Sequence, residues 1–205
     1  MRLVLASGNR GKIREIQTLL APHGVRVLPQ SAFAVAAVEE TAPTFVENAL
    51  IKARNAARHA GLPALADDSG LEVDALAGAP GVHSARYAGP EADDRRNNAK
   101  LLEALEGFSG EERRARFRCV LVLVRHPYDP SPLIAEGTWE GVIATEPRGA
   151  GGFGYDPLFL LPERGVTAAE LTPEEKNRLS HRGQALRKLL DLWPRAWPDP
   201  LPPIG

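Results

Sequence analysis

Leu62-Pro63-Ala64-Leu65-Ala66-Asp67-Asp68-Ser69-Gly70 joins a short apolar run to two adjacent carboxylates, a serine and a glycine. The apolar part, Pro63 to Asp67, has the length and composition of a buried strand. Ahead of it, Thr44 to Ala60 places Phe45, Ala49, Ala53, Ala56 and Ala57 on one helical face, and Gly61-Leu62-Pro63 stops that helix. A long helix leading directly into a buried strand is the alternation of an α/β protein.

Similar units lie on both sides. Upstream, Leu3 to Ala6 is a strand candidate, Ser7 to Gly11 a loop, Lys12 to Leu20 a helix, and Val25 to Leu28 a second strand. Downstream, Asp93 to Leu105 is helical, with Leu101, Leu102 and Leu105 inward. Arg116 to Val124 and Leu133 to Ile143 are long strands across the Pro-rich turn His126 to Pro132, which predicts an antiparallel pair. Thr172-Pro173-Glu174-Glu175 is a capping box with proline at the first helical position, and a last helix is expected from about Ser180 to Leu192. The predicted class is α/β with a mixed sheet. We expect one domain over 1–192 and a Pro/Trp-rich tail over 193–205, loosely packed or mobile.

Bulk composition narrows the function. The 205 residues can bury a core without disulfides, and a formal net charge of -1 provides no chain-wide basic field for nucleic acid or an acidic membrane. The single cysteine, Cys119, sits in a strand-like run and reads as a buried apolar residue; it excludes a disulfide framework. No stretch approaches membrane-spanning length, and the N-terminal apolar run is too short for a signal peptide. A soluble, cytoplasmic protein is expected.

Four clusters carry chemistry. Two carboxylates held together raise each other's pKa or take a cation between them, so Asp67-Asp68-Ser69-Gly70 at a strand end points to a hard metal ion. The alternative is a polar turn. Ser7-Gly8-Asn9-Arg10-Gly11-Lys12 lies between strand and helix, where free backbone N–H groups suit phosphate. Its glycine spacing is not that of a Walker A loop. Glu39-Glu40 and Glu47-Asn48 form a second acidic cluster. With Asp68, a glutamate from it would supply the partial carboxylate shell typical of magnesium, although Glu40, Glu47 and Lys52 also read as solvated residues. Gly149 to Pro157 is glycine-dense around Phe153 and Tyr155, a surface on which a base can stack, or a flexible turn with its aromatics in the core. Lys176, His181 and Arg182 bring three donors to the start of the last helix, or form an ordinary basic face. His83 to Gly89 reads as a polar loop at the rim of a cleft.

In order along the chain stand Ser7-Gly8-Asn9-x-x-Lys12, Thr44-Phe45-x-Glu47-Asn48-Ala49, Ala66-Asp67-Asp68-Ser69-Gly70-Leu71, Pro80-Gly81-x-x-Ser84-Ala85-Arg86-Tyr87, Gly152-Phe153-Gly154-Tyr155-Asp156-Pro157 and Lys176-Asn177-x-x-Ser180-His181-Arg182. With these motifs the chain resembles the non-canonical purine nucleoside triphosphate pyrophosphatases, the inosine/xanthosine triphosphate diphosphatase family, from Leu3 to about Leu190. The resemblance implies two α/β lobes around a long central mixed sheet, with the nucleotide in the cleft between them. It implies hydrolysis of ITP, dITP and XTP to monophosphate and pyrophosphate, with magnesium, in a homodimer. It further implies that Ser7 to Lys12 hold the triphosphate, that Glu39 and Asp68 bind the metal, and that Asp68 accepts a proton. Ser69, Phe153, Gly154, Tyr155, Asp156, Lys176, His181 and Arg182 would contact the nucleotide. Between Glu39 and Glu40, position favours Glu39.

Base selection is expected from hydrogen-bond polarity. A 6-keto purine offers an acceptor to the donor-only Arg182, whereas adenine would leave buried donors unpaired, at about 1–3 kcal/mol each. Two other functions fit parts of the pattern. A pyrimidine-directed triphosphate pyrophosphatase, as in the septum-inhibitor-like family, is opposed by the Phe153–Asp156 and Ser180–Arg182 motifs. A nucleotide sensor without turnover is opposed by the intact acidic pair.

Overall fold

The computed structural model describes residues 1–36, 38–91 and 93–196. Its strands are β1 Arg2–Ala6, β2 Arg26–Pro29, β3 Ala64–Val73, β4 Arg114–Val124, β5 Leu133–Ile143, β6 Phe159–Leu161 and β7 Val166–Thr167. They form one seven-stranded sheet in the order β2-β1-β3-β4-β5-β6-β7. β1 runs parallel to β2 and β3, and β6 antiparallel to β5 and β7, so the sheet is mixed. The α-helices are α1 Arg10–Leu20, α2 Phe45–Ala60, α3 Asp94–Ala104, α4 Pro173–Leu179 and α5 His181–Ala196. No helix among the described residues is long and apolar enough to cross a membrane.

The chain divides into two compact units. One contains Met1–Asp68, Val120–Gly137 and the chain from Arg182; the other contains Ser69–Cys119 and Thr138–His181. In the first, the alanine face of α2 (Ala49, Ala53, Ala56, Ala57) packs on Val4, Ala6, Ala64, Ala66 and the valines of β4. Methyl-sized side chains let the helix backbone approach the sheet closely, so an added methylene here has no free volume to enter. Thr44 caps α2 at its start, and Gly61, at φ 61°, ends it in the left-handed conformation that glycine adopts without strain. The second unit has an aromatic core in which Phe117, Trp139, Tyr155 and Phe159 join Leu71, Leu101 and Leu105.

Most elements stand close to where periodicity put them, and the Thr172–Glu175 capping box forms. The principal difference concerns β3. Expected to end at Asp67, it runs for ten residues through Asp67, Asp68, Ser69 and Gly70 to Val73. The acidic pair therefore lies inside a strand, neither at its end nor in a turn. The strands β6 and β7 were not expected; at three and two residues they are too short to show a period. Ser84, expected on a polar rim, is buried: its hydroxyl accepts from Leu71 N–H at 2.8 Å and donates to the Gly81 carbonyl at 2.6 Å. At the C-terminus, α5 passes the expected end at Leu192 and continues to Ala196, with Trp193 buried. The rest of the tail, 197–205, lies outside the described residues.

Candidate active site

Strand geometry decides what the acidic pair does. Successive residues of a strand point to opposite faces, so Asp67 and Asp68 are adjacent in sequence but separated by the sheet. They need no cation between them. Each has its own hydrogen-bonded side-chain partners within the first unit, while the charge of Lys12 acts on both.

Asp67 faces α1 and α5 and is fully buried. Its carboxylate accepts from Arg182 Nε at 2.7 Å and pairs with Lys12 Nζ at 2.7 Å. Arg182 Nη1 also donates to Glu15 at 2.6 Å. Burial alone pushes the Asp67 carboxyl up, but the charges of Arg182 and Lys12 more than reverse this and hold it well below the usual carboxylate range. Asp67 is an ionised anchor at neutral pH.

Asp68 shares its face with Ala64 and Ala66, toward α2. Lys52 of α2 extends its ammonium to Asp68 Oδ1 at 2.6 Å, the Asp67 carbonyl at 2.9 Å and Glu40 Oε1 at 3.0 Å. The segment carrying Glu40 is pinned by Asn48, whose buried amide takes the Ala42 N–H at 3.0 Å and donates to the Ala42 carbonyl at 3.1 Å. Burial raises the Asp68 carboxyl, and Lys52 offsets this only in part. Burial depresses the Lys52 ammonium, but Asp68 and Glu40 outweigh it and hold the group raised and charged. Asp68 Oδ2 is buried and has no hydrogen-bond partner. An orphaned carboxylate oxygen is costly unless a further cation or donor reaches it.

The loop before α1 is braced from within. Ser7 Oγ accepts from Asn9 N–H at 3.1 Å, and Asn9 Oδ1 caps the helix at Lys12 N–H, 3.0 Å away. Gly8, Asn9 and Arg10 are exposed, and a side chain at Gly8 would meet nothing within 4 Å. The loop thus offers open backbone at a helix N-terminus.

In the second unit, the glycine-dense loop is held by Asp156, which is buried. Its Oδ2 accepts from Phe153 N–H at 2.8 Å and Lys176 Nζ at 2.5 Å, and the same ammonium lies 4.5 Å from the centre of the Phe153 ring. A Cβ on Gly152, at φ +72°, would come within 2.1 Å of Asp156 Oδ2, so only glycine fits. Tyr155 turns inward; its hydroxyl donates to the Ser84 carbonyl at 2.8 Å, and burial pushes the phenol up. His181 stacks on Phe117, with ring centres 4.7 Å apart and 14° between planes. A cavity of about 510 Å³ lies between α3 and this loop.

The expected site residues are therefore only partly gathered. Within the first unit, Lys12, Asp67 and Arg182 form one cluster, and Asp68, Lys52 and Glu40 another. Lys176, Asp156 and Phe153 cluster in the second unit, where His181 joins the aromatic core. Ser69 is half-buried on β3. Lys176, His181 and Arg182, three donors at one helix start in sequence, each have different partners. Glu39 is exposed, while its neighbour Glu40 is the residue tied to Lys52. Lys52, read from sequence as a solvated residue, is instead tied to Asp68 and Glu40, and Glu15 is a site residue the sequence reading does not name; each carries a signal, since Lys52 is one turn from buried Asn48 on α2 and Glu15 is three residues from Lys12 on α1.

Comparison with known proteins adds the remaining findings. The Ham1 family model matches residues 3–192. A dITP/XTP pyrophosphatase from Thioalkalivibrio sulfidiphilus is 63% identical over 93% of this chain and 97% of its own length. The dITP/XTP pyrophosphatase of Escherichia coli strain K12 is 56% identical over 93% of this chain and 96% of its own. Among solved structures, a HAM1 protein from Coxiella burnetii superposes with a TM-score of 0.86 at 55% identity, covering 94% of this chain and 98% of its own.

Proposed function

The chain belongs to the Ham1 family, and from that membership together with the geometry around Asp68 we propose that it hydrolyses ITP, dITP and XTP to the monophosphate and pyrophosphate. The observation that carries the chemistry is the buried Asp68 carboxylate. One oxygen rests on the Lys52 ammonium and the other has no partner.

The orphaned oxygen is what a magnesium site requires, and magnesium takes only one or two protein carboxylates when phosphate and water complete its shell. We assign Asp68 and Glu40 to it. Lys52 supports Glu40 over Glu39, since its one ammonium holds both Glu40 and Asp68. Magnesium, when bound, supplies Lewis-acid neutralisation of phosphate oxygens.

The chain's own residues account for the rest. Asp68, buried and beside the phosphate-binding loop's Lys12, takes the proton of the attacking water. The N–H groups of Ser7, Asn9 and Lys12 are taken up within the strand and loop, so those of Gly8, Arg10 and Gly11 receive the phosphates, and Lys12 adds a charge that neutralises the departing pyrophosphate. Phe153 offers a stacking face. Recognition of the 6-keto oxygen is assigned to the donors Lys176, His181 and Arg182 together, Lys176 being held by Asp156 and Arg182 also holding Asp67. We further infer a cytoplasmic homodimer, since the nucleotide pool is cytoplasmic and the resemblance carries a dimer.

The test is pyrophosphate release by the purified chain with magnesium. ITP and XTP should turn over at least about tenfold faster than ATP, GTP, dTTP or UTP, and a chelator should abolish turnover. Equal rates across this panel, or intact ITP after long incubation, would overturn the proposal. Light scattering decides the dimer.

A further inference from the structure

The loop 149–154 is held from outside as well as from within, and its Gly151 N–H donates to the Ala169 carbonyl at 3.0 Å. Gly149, Gly152 and Gly154 all have positive φ, at 83°, 72° and 62°, and such glycines give up the most conformational freedom on ordering. From within, Asp156 takes the Phe153 N–H at 2.8 Å. From outside, α3 grips the next residue. Asp94 Oδ2 accepts from Gly154 N–H at 2.7 Å, and Asn98 Nδ2 donates to the Gly154 carbonyl at 2.8 Å and to the Asp94 carbonyl at 2.7 Å.

Asp94 is not consumed by its helix. The cap of α3 is Asp93, whose Oδ1 accepts from Arg96 N–H at 2.8 Å. The gripping helix is itself anchored, with Leu101 buried in the core of the same unit. Gly154 is therefore bracketed at its N–H and its carbonyl by one rigid helix, and the backbone that aims the Phe153 ring is fixed on both sides.

We propose that Asp94 and Asn98 are positioning residues for nucleotide recognition, holding the peptide frame of Phe153 and Gly154 so that the ring is oriented for the base before substrate arrives. The inference rests on the nucleotide role proposed for Phe153. Removing the grip lets the loop sample other conformers, and binding then loses the fraction of molecules that are competent. The loss falls on recognition of the base. The phosphates and the chemical step are untouched.

The experiment measures steady-state kinetics of Asp94→Ala and Asn98→Ala with ITP, beside the Ki of inorganic tripolyphosphate, a competitor without a base. Each variant should raise KM for ITP about tenfold, with kcat within about twofold and the tripolyphosphate Ki unchanged. Asp94→Asn, which keeps an acceptor for Gly154 N–H, should return KM to within about threefold of wild type. An unchanged KM in both alanine variants overturns the proposal. So does a parallel rise in KM and Ki with a lowered Tm, since that marks a general structural role. Wild-type protein that leaves ITP intact removes the functional reading and this inference with it, whereas active wild type with indifferent variants removes the inference alone.

Discussion

Truncating Arg182 to alanine probes the tertiary structure most directly. Arg182 is 1% exposed and binds two acids, Asp67 at 2.7 Å and Glu15 at 2.6 Å. Asp67 is also 1% exposed, with Lys12 as its second cation. The four side chains balance, two positive against two negative, and Arg182→Ala leaves one buried negative charge in excess. Removing one partner of a buried pair costs about 3–5 kcal/mol. Lys12 stays beside Asp67, so the lower half of that range is expected. For a chain of this size each kcal/mol moves Tm by about 2–4 °C, giving a fall of about 6–16 °C. Arg182→Lys keeps the charge but loses the two-acid fork, and its loss should be smaller, about 1.5–3 kcal/mol. The pH dependence carries a sign. The Asp67 carboxyl is depressed on folding, so its contribution is full above its unfolded value of about 4 and is lost as pH falls below it. The gap between wild type and Arg182→Ala should therefore be widest at neutral pH and narrow toward pH 3. Urea unfolding at both pH values measures it. A loss under about 1 kcal/mol at neutral pH, or one undiminished in acid, refutes the reasoning.

Asp68→Asn should lower turnover of ITP by about 10²–10⁴-fold with only a modest fall in the thermal midpoint, because Glu40 still holds Lys52; near-normal pyrophosphate release removes Asp68 from its role. Gly152→Ala places a methyl 2.1 Å from Asp156 Oδ2 at a φ of +72°, so KM for ITP should rise at least about tenfold, and unchanged kinetics would show that the loop is not held as described. Burial pushes the Asp129 carboxyl up, but bonds from Arg125 and Ser131 outweigh it and bring it down to about 2. Its stabilisation is present above about pH 4 and lost toward pH 2, so the Tm deficit of Asp129→Ala should close over that interval; a deficit independent of pH argues against the pairing.

What was legible in the chain, and what was not, follows from the range of the forces involved. The alanine face of α2, the Thr172–Glu175 cap and the strands β4 and β5 are written in neighbours a few residues apart, and they fold as their periods require. The ordered motifs carried the family. The same local view misjudged Asp67-Asp68, because adjacency in sequence suggested adjacency in space. Within a ten-residue strand the pleat sends the two carboxylates to opposite faces, where each meets cations 16 to 115 residues away. It likewise grouped Lys176, His181 and Arg182, read Lys52 as solvated, and left Glu15 unnamed. Propensity and patterning act through the backbone over one or two turns, and they determined which elements exist. Ion pairing in a buried site acts through space, so only the packed sheet and helices could decide which charge meets which, and which carboxylate oxygen is left open for chemistry.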